Sequence, residues 1–123
     1  MKIYYAHAMC LYGGTDEKRH LTRIRREFQR CEIVNPADHT GNPLKTQDTV
    51  GFCLKLVKAC DAIVFCRLLG KVTAGVGKEV NYALKIGRPV FEVQATRIVR
   101  RNRPVKYISR RATVRLYGEY RLK

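Results

Sequence analysis

No stretch of the sequence approaches the roughly 20 apolar residues that a bilayer span requires. Runs such as residues 62–66 and 89–91 are far shorter. The first residues lead straight into strand-like sequence with no cleavage-site pattern behind it. A secretory leader is therefore not expected, and a cytoplasmic protein without a membrane partner is. C-x-x-C pairs are missing too. The five cysteines (10, 31, 53, 60 and 66) and three histidines (7, 20 and 39) show no metal-ligand spacing, so neither a metal nor another cofactor is predicted. The odd cysteine count speaks against a secreted disulfide framework. Cys53, Cys60 and Cys66 fall on apolar stripes and read as small core residues.

Acidic residues are few: 10 against 25 lysines and arginines, a net charge of +15. The excess is uneven. Residues 1–96 hold 15 basic and 9 acidic side chains, whereas residues 97–123 hold 10 and 1. Such a balance favours polyanions such as nucleic acid or nucleotide phosphates, and also acidic membrane surfaces, and otherwise describes a basic proteome or a solvated face. Arg100, Arg101, Arg103, Lys106, Arg110 and Arg111 form the densest group, with Tyr107 among them. They could track a nucleic-acid backbone, although the pattern follows no helix-turn-helix or zinc-finger grammar.

What is present suits one α/β domain over residues 1–123, with 46% hydrophobic residues to build a core. Residues 2–6 are β-branched and aromatic enough for a first strand. Thr15 is a candidate N-cap, with Asp16 and Glu17 in the first helical turn. Leu21, Ile24, Phe28 and Cys31 then recur on one helical face. Glu32, Ile33 and Val34 make a short second strand, and residues 37–46 a loop. A second helix is expected from about Gln47, with Val50, Cys53, Leu54, Val57 and Cys60 inward. Residues 62–66, apolar throughout, predict a strand covered on both faces. Residues 67–77 read as loop. A third helix follows, with Val80, Ala83 and Leu84 inward, and ends at Gly87 before Pro89. Residues 89–93 make a fourth strand, residues 105–108 a candidate fifth, and Ser109 caps a last helix containing Ala112 and Leu116. This alternation predicts a mostly parallel sheet of four or five strands with helices on both faces. The ligand crevice then lies beyond the carboxyl ends of the strands, between residues 7–14 and residues 67–77.

The segment Thr73-Ala74-Gly75-Val76-Gly77-Lys78-Glu79 carries the chemistry. Gly75 and Gly77 would let the backbone approach a ligand, and the helix amino terminus would offer N–H groups to an anion. With the helix starting near Val76, Glu79 falls in its first turn, where the dipole keeps a carboxylate ionised. Such a carboxylate can attack an anomeric carbon or stabilise oxocarbenium-like charge. Arg67 and Lys71 flank the pocket as phosphate candidates, and His7 is a candidate for phosphate contact or proton transfer. Asp61 reads as fixing the helix–strand corner.

The run Ala59-Cys60-Asp61-Ala62-Ile63-Val64-Phe65, the Gly75-Val76-Gly77-x-Glu79 motif and Ala83-x-x-x-Gly87-x-Pro89-Val90 together resemble the nucleoside 2-deoxyribosyltransferase superfamily and its nucleotide N-glycosidases. The resemblance covers residues 2–93. It implies a flavodoxin-like three-layer sandwich, a homo-oligomer, and cleavage or transfer at the N-glycosidic bond of a nucleoside or nucleotide. Glu79 matches the nucleophile, and Tyr4 or Tyr5 the first-strand tyrosine, with Tyr5 preferred for its place nearer the strand's end. Relatives often carry an aspartate where Thr73 stands and an acid at the place of Cys53. The alternatives are therefore a non-catalytic nucleotide-binding module and a basic nucleic-acid-binding accessory protein.

Overall fold

The computed structural model describes residues 1–39 and 49–122. Five strands form one sheet: β1 (Lys2–Ala6), β2 (Glu32–Val34), β3 (Ala62–Phe65), β4 (Val90–Val93) and β5 (Ile98–Arg101). Four α-helices flank it: α1 (Thr15–Glu27), α2 (Thr49–Lys58), α3 (Ala74–Lys85) and α4 (Arg110–Arg121), with short 3-10 turns at Met9–Leu11 and Pro36–His39. The expected start of the second helix at Gln47, and the inward direction of Val50, lie outside the described residues. The strand order is β2-β1-β3-β4-β5. The first four strands run parallel and β5 is antiparallel, so the chain is an α/β fold with a mostly parallel sheet.

The core divides at the sheet. Tyr4, Ala6, Ile63, Phe65 and Val90 face α2 and α3, meeting Cys53, Val57, Val76, Val80 and Ala83. Ile3, Tyr5, Val64, Cys66 and Val93 face the other way, onto Ile24 of α1 and Leu116 of α4. Every residue of β3 is buried, which is why its sequence lacks alternation: both faces of the strand are covered.

The helix ends follow local chemistry. α3 stops in a Schellman arrangement, with the Gly87 amide donating to the Leu84 carbonyl (3.1 Å) and the Arg88 amide to Ala83 (2.8 Å). Gly87 takes φ +79°, a left-handed conformation that only glycine adopts without strain. At α4 the Ser109 hydroxyl accepts from the Ala112 amide at 3.1 Å, as expected of its cap. Asp61 accepts from the Lys2 amide at 2.7 Å, tying the α2–β3 corner to β1.

Three expectations are corrected. Thr15 is the first helical residue of α1 and Gly14 takes the cap position without a side-chain bond. α3 begins at Ala74, not near Val76, so Gly75 and Gly77 are helical. The fifth strand is Ile98–Arg101, not residues 105–108. β5 forms because residues 94–97 turn tightly, the Gln94 amide donating to the Arg97 carbonyl at 2.8 Å, and β5 then runs back along β4. Residues 105–108 instead bond to α3 and its approach: the Val105 amide donates to Asn81 Oδ1 (2.8 Å) and the Ile108 amide to the Val72 carbonyl (3.0 Å).

Candidate functional site

Glu79 lies in the second turn of α3, not the first, since the helix opens at Ala74. The helix dipole fades beyond the first turn, so something else must hold the carboxylate. That group is Tyr4. Its hydroxyl donates to Glu79 Oε2 at 2.5 Å, in a buried contact linking β1 to α3. Tyr4 is fully buried and Glu79 is 8% exposed. Burial first, and then the Glu79 charge, push the Tyr4 phenol well above its ordinary range, so it keeps its proton and acts as a donor. A charge-assisted bond of this kind is about twice as strong as a neutral one. Cys53 of α2 stands near enough to Tyr4 to add to that shift, and Tyr12, after β1, feels the Glu79 charge as well. The site thus gathers β1, the loop after it, α2 and α3.

Tyr5, the tyrosine preferred from its place near the strand end, does not reach Glu79. Alternation along β1 turns it to the opposite face, where its hydroxyl meets His20 Nδ1 at 2.7 Å. Burial pushes the Tyr5 phenol up, so it keeps its proton, and the same hydroxyl also reaches Cys66 Sγ at 4.0 Å. His7 stacks on Tyr5, with ring centroids 3.9 Å apart. Its Nε2 lies 2.7 Å from Glu17 Oε2 and its Nδ1 3.1 Å from the Tyr5 carbonyl. Burial lowers the His7 pKa against the pull of Glu17. Burial also opposes ionisation of Glu17, but the bonds from His7 and the Gly13 amide (3.1 Å) outweigh it and hold its carboxyl low. Buried, with both ring nitrogens engaged inside the protein, His7 supports the loop after β1 rather than presenting itself to a ligand.

The glycine segment has a neighbour that was not foreseen. A Cβ on Gly77 would fall inside contact distance of the Tyr107 ring, so the missing side chain there admits an aromatic ring rather than a phosphate. The Ala74 amide is taken by the Thr113 hydroxyl of α4 at 3.0 Å. Thr73 is buried at the cap position of α3 and makes no side-chain cap bond. Of the two glycines Gly75 remains exposed, with open space around it. Thr113 and Tyr107 both lie in the basic C-terminal part, beyond the residues 2–93 that the resemblance covers.

The basic residues separate. Arg67 donates to Glu92 Oε2 (3.0 Å), and Arg101 to Glu92 Oε1 (2.9 Å). Lys71 is exposed on a two-residue turn that pairs Leu68 with Lys71, with Leu69 and Gly70 both at positive φ. Arg100 lies over the Phe91 ring, 5.3 Å from its centroid. Arg100 is opposite Phe91 and Arg101 opposite Val90 in the β4–β5 register, so these two face opposite sides of the sheet. Arg103, Lys106, Arg110 and Arg111 are exposed. The run that is dense in sequence is divided in space.

A cleft of about 670 Å³ opens on the α1 side of the sheet, bounded by α1, residues 66–69 and residues 92–95. Arg67 lines it and Glu79 does not. Among the described residues, no group of three or more His, Cys, Asp or Glu is placed to hold a metal, and no helix is long and apolar enough to cross a membrane. The sequence matches no family model and no curated protein.

Proposed function

We propose that the chain cleaves or transfers the N-glycosidic bond of a nucleoside, with Glu79 as the nucleophile and Tyr4 as the residue that positions it. The buried Tyr4–Glu79 hydrogen bond carries this reading. The resemblance to the nucleoside 2-deoxyribosyltransferase superfamily supports it, as does a sheet order of β2-β1-β3-β4-β5, which suits a flavodoxin-like sandwich. In the reaction a Glu79 oxygen attacks the anomeric carbon. The C–N bond breaks, its electron pair leaves with the base, and the base takes up a proton. Water or a second base then attacks the glycosyl ester and returns Glu79 as a carboxylate. No cofactor is needed for these steps. Tyr4 fixes the carboxylate oxygen it binds.

The surroundings favour a nucleoside over a nucleotide. Thr113 already occupies the Ala74 amide, Tyr107 covers Gly77, and Arg67 is committed to Glu92. Three groups expected to hold a phosphate are thus engaged elsewhere. The oligomeric state that the resemblance implies belongs to the same proposal and is open to light scattering. The test of the chemistry is chromatographic detection of free base from a panel of ribo- and deoxyribonucleosides, their monophosphates and NAD. Release from a nucleoside, lost in Glu79→Gln, is the expected result. Binding of a nucleoside without release would make the domain a binding module, and equal release by the variant would remove Glu79 from the mechanism.

A further inference from the structure

The cleft on the α1 face is built differently from the Glu79 site, and its charge balance is the useful clue. α1 lines it with Lys18, Arg19, Arg23 and Arg26, a row about 12 Å long at 1.5 Å rise per residue. Two carboxylates, Asp16 and Glu92, also line it, and both are already satisfied. Asp16 pairs with Arg19 and accepts from the Tyr120 hydroxyl at 2.7 Å. Glu92 is held between Arg67 and Arg101. The remaining cations keep their charge. Arg23 donates only to a neutral partner, the Thr96 carbonyl, at 2.9 Å. The side chains of Lys18 and Arg26 make no ion pair among the described residues, and both are exposed. Beneath this row the floor is apolar and buried, formed by Leu11, Leu68 and Val93. Low-dielectric walls with charges of one sign focus the field into the cleft.

His20 adds a polar ring held in place from inside the protein. It lines the cleft, and its Nδ1 is engaged by the Tyr5 hydroxyl at 2.7 Å. Burial, helped by the nearby arginines, lowers the His20 pKa to about 4, so the ring stays neutral at pH 7 and the hydrogen-bond pattern holds.

We propose that this cleft is a second binding site, for a small ligand bearing consecutive phosphates, the chemistry shared by nucleoside di- and triphosphates and inorganic polyphosphate. A volume near 670 Å³ lies within the roughly 300–1,000 Å³ of small-molecule sites. Single-stranded nucleic acid is served worse, because its binders offer successive aromatic platforms, and among the lining residues only Tyr120 and His20 carry rings. The site stands independently of the reading of Glu79.

The test is calorimetric titration of the full chain with tripolyphosphate and, separately, with adenosine triphosphate. Amide chemical shifts follow the location of each. The variant is Lys18→Ala/Arg26→Ala, which removes exposed side chains without ion pairs and should leave the fold unchanged. Both probes are expected to bind, to shift residues 18–26, 66–69 and 92–95, and to bind at least about tenfold more weakly to the double variant. Equal affinity for the two probes would assign binding to phosphates alone. Tighter binding of adenosine triphosphate would show the apolar floor accepting a base. Glu79→Gln should bind both as the parent does. The proposal fails if neither probe binds, if the double variant binds unchanged, or if the shifts centre on residues 73–79. It also fails if a single strand of about 16 nucleotides binds far more tightly than either probe and loses that affinity in the double variant.

Discussion

Tyr4 and Tyr5 are adjacent on β1 and both fully buried, yet they serve two different chemical surroundings. Tyr4 donates to a carboxylate on α3, whereas Tyr5 pairs with a histidine on α1. On the Tyr4 face the buried acid of α3 meets the Tyr4 hydroxyl, with Tyr12 of the loop after β1 near by. On the Tyr5 face a buried acid, Glu17, is already matched by His7, and the histidine that Tyr5 orients borders an open, basic cleft. One residue of register separates the proposed reacting site from a supporting network. Identity and exposure do not distinguish the two phenols. What each one meets does.

The sharpest way to break this comparison is to remove each hydroxyl in turn. Tyr4→Phe should lower base release by about a hundredfold, and Tyr5→Phe should leave the rate within about threefold of the parent. Equal losses would mean that the two faces are not separate. On stability the order reverses. His7→Ala leaves Glu17 buried without its imidazole and should cost about 3 kcal/mol, or roughly 10 °C in Tm by thermal melting. A loss below about 1 kcal/mol would show Glu17 finding another partner.

Gly77→Ala should destabilise by about 1–3 kcal/mol, since the Tyr107 ring must move away. In a Tyr107→Ala background the same change should become neutral or stabilising by up to about 1 kcal/mol, because alanine is the better helix residue. Denaturant midpoints of the four proteins check the sign. The smallest effect concerns pH. His20 has a folded pKa of about 4 against an ordinary 6.5. Between those values the unfolded chain binds more protons, so stability is full above pH 6.5 and falls as the pH drops towards 4. A His20→Gln variant should show a shallower fall in urea midpoint across that window.

Most of the fold was legible because periodicity and capping agree in sequence. Leu21 and Ile24 on α1 pack into one cluster with Phe28 at its end and Cys31, which lies beyond the helix and not on its face as expected, β2 falls on Glu32–Val34, and Gly87 ends α3. β5 was not legible. Its arginines look like solvated charge, and only the antiparallel neighbour β4 supplies Glu92 for Arg101. Residues 105–108 look strand-like, but their hydrogen bonds go to Asn81 and Val72. Glu79 could be named from its glycine motif. Its partner could not, because β1 is apolar on both faces and gives no sign of which tyrosine faces α3. Glu17, ten residues beyond His7, left only the bland trace of an acid in a first turn.

The most direct test of the central claim, that Glu79 held by Tyr4 is the nucleophile, is mass spectrometry of protein quenched in acid during turnover of whichever nucleoside releases base. The account predicts a glycosyl adduct on the peptide containing Glu79, absent from Glu79→Gln. An adduct on another residue, or full turnover by Glu79→Gln, would contradict it.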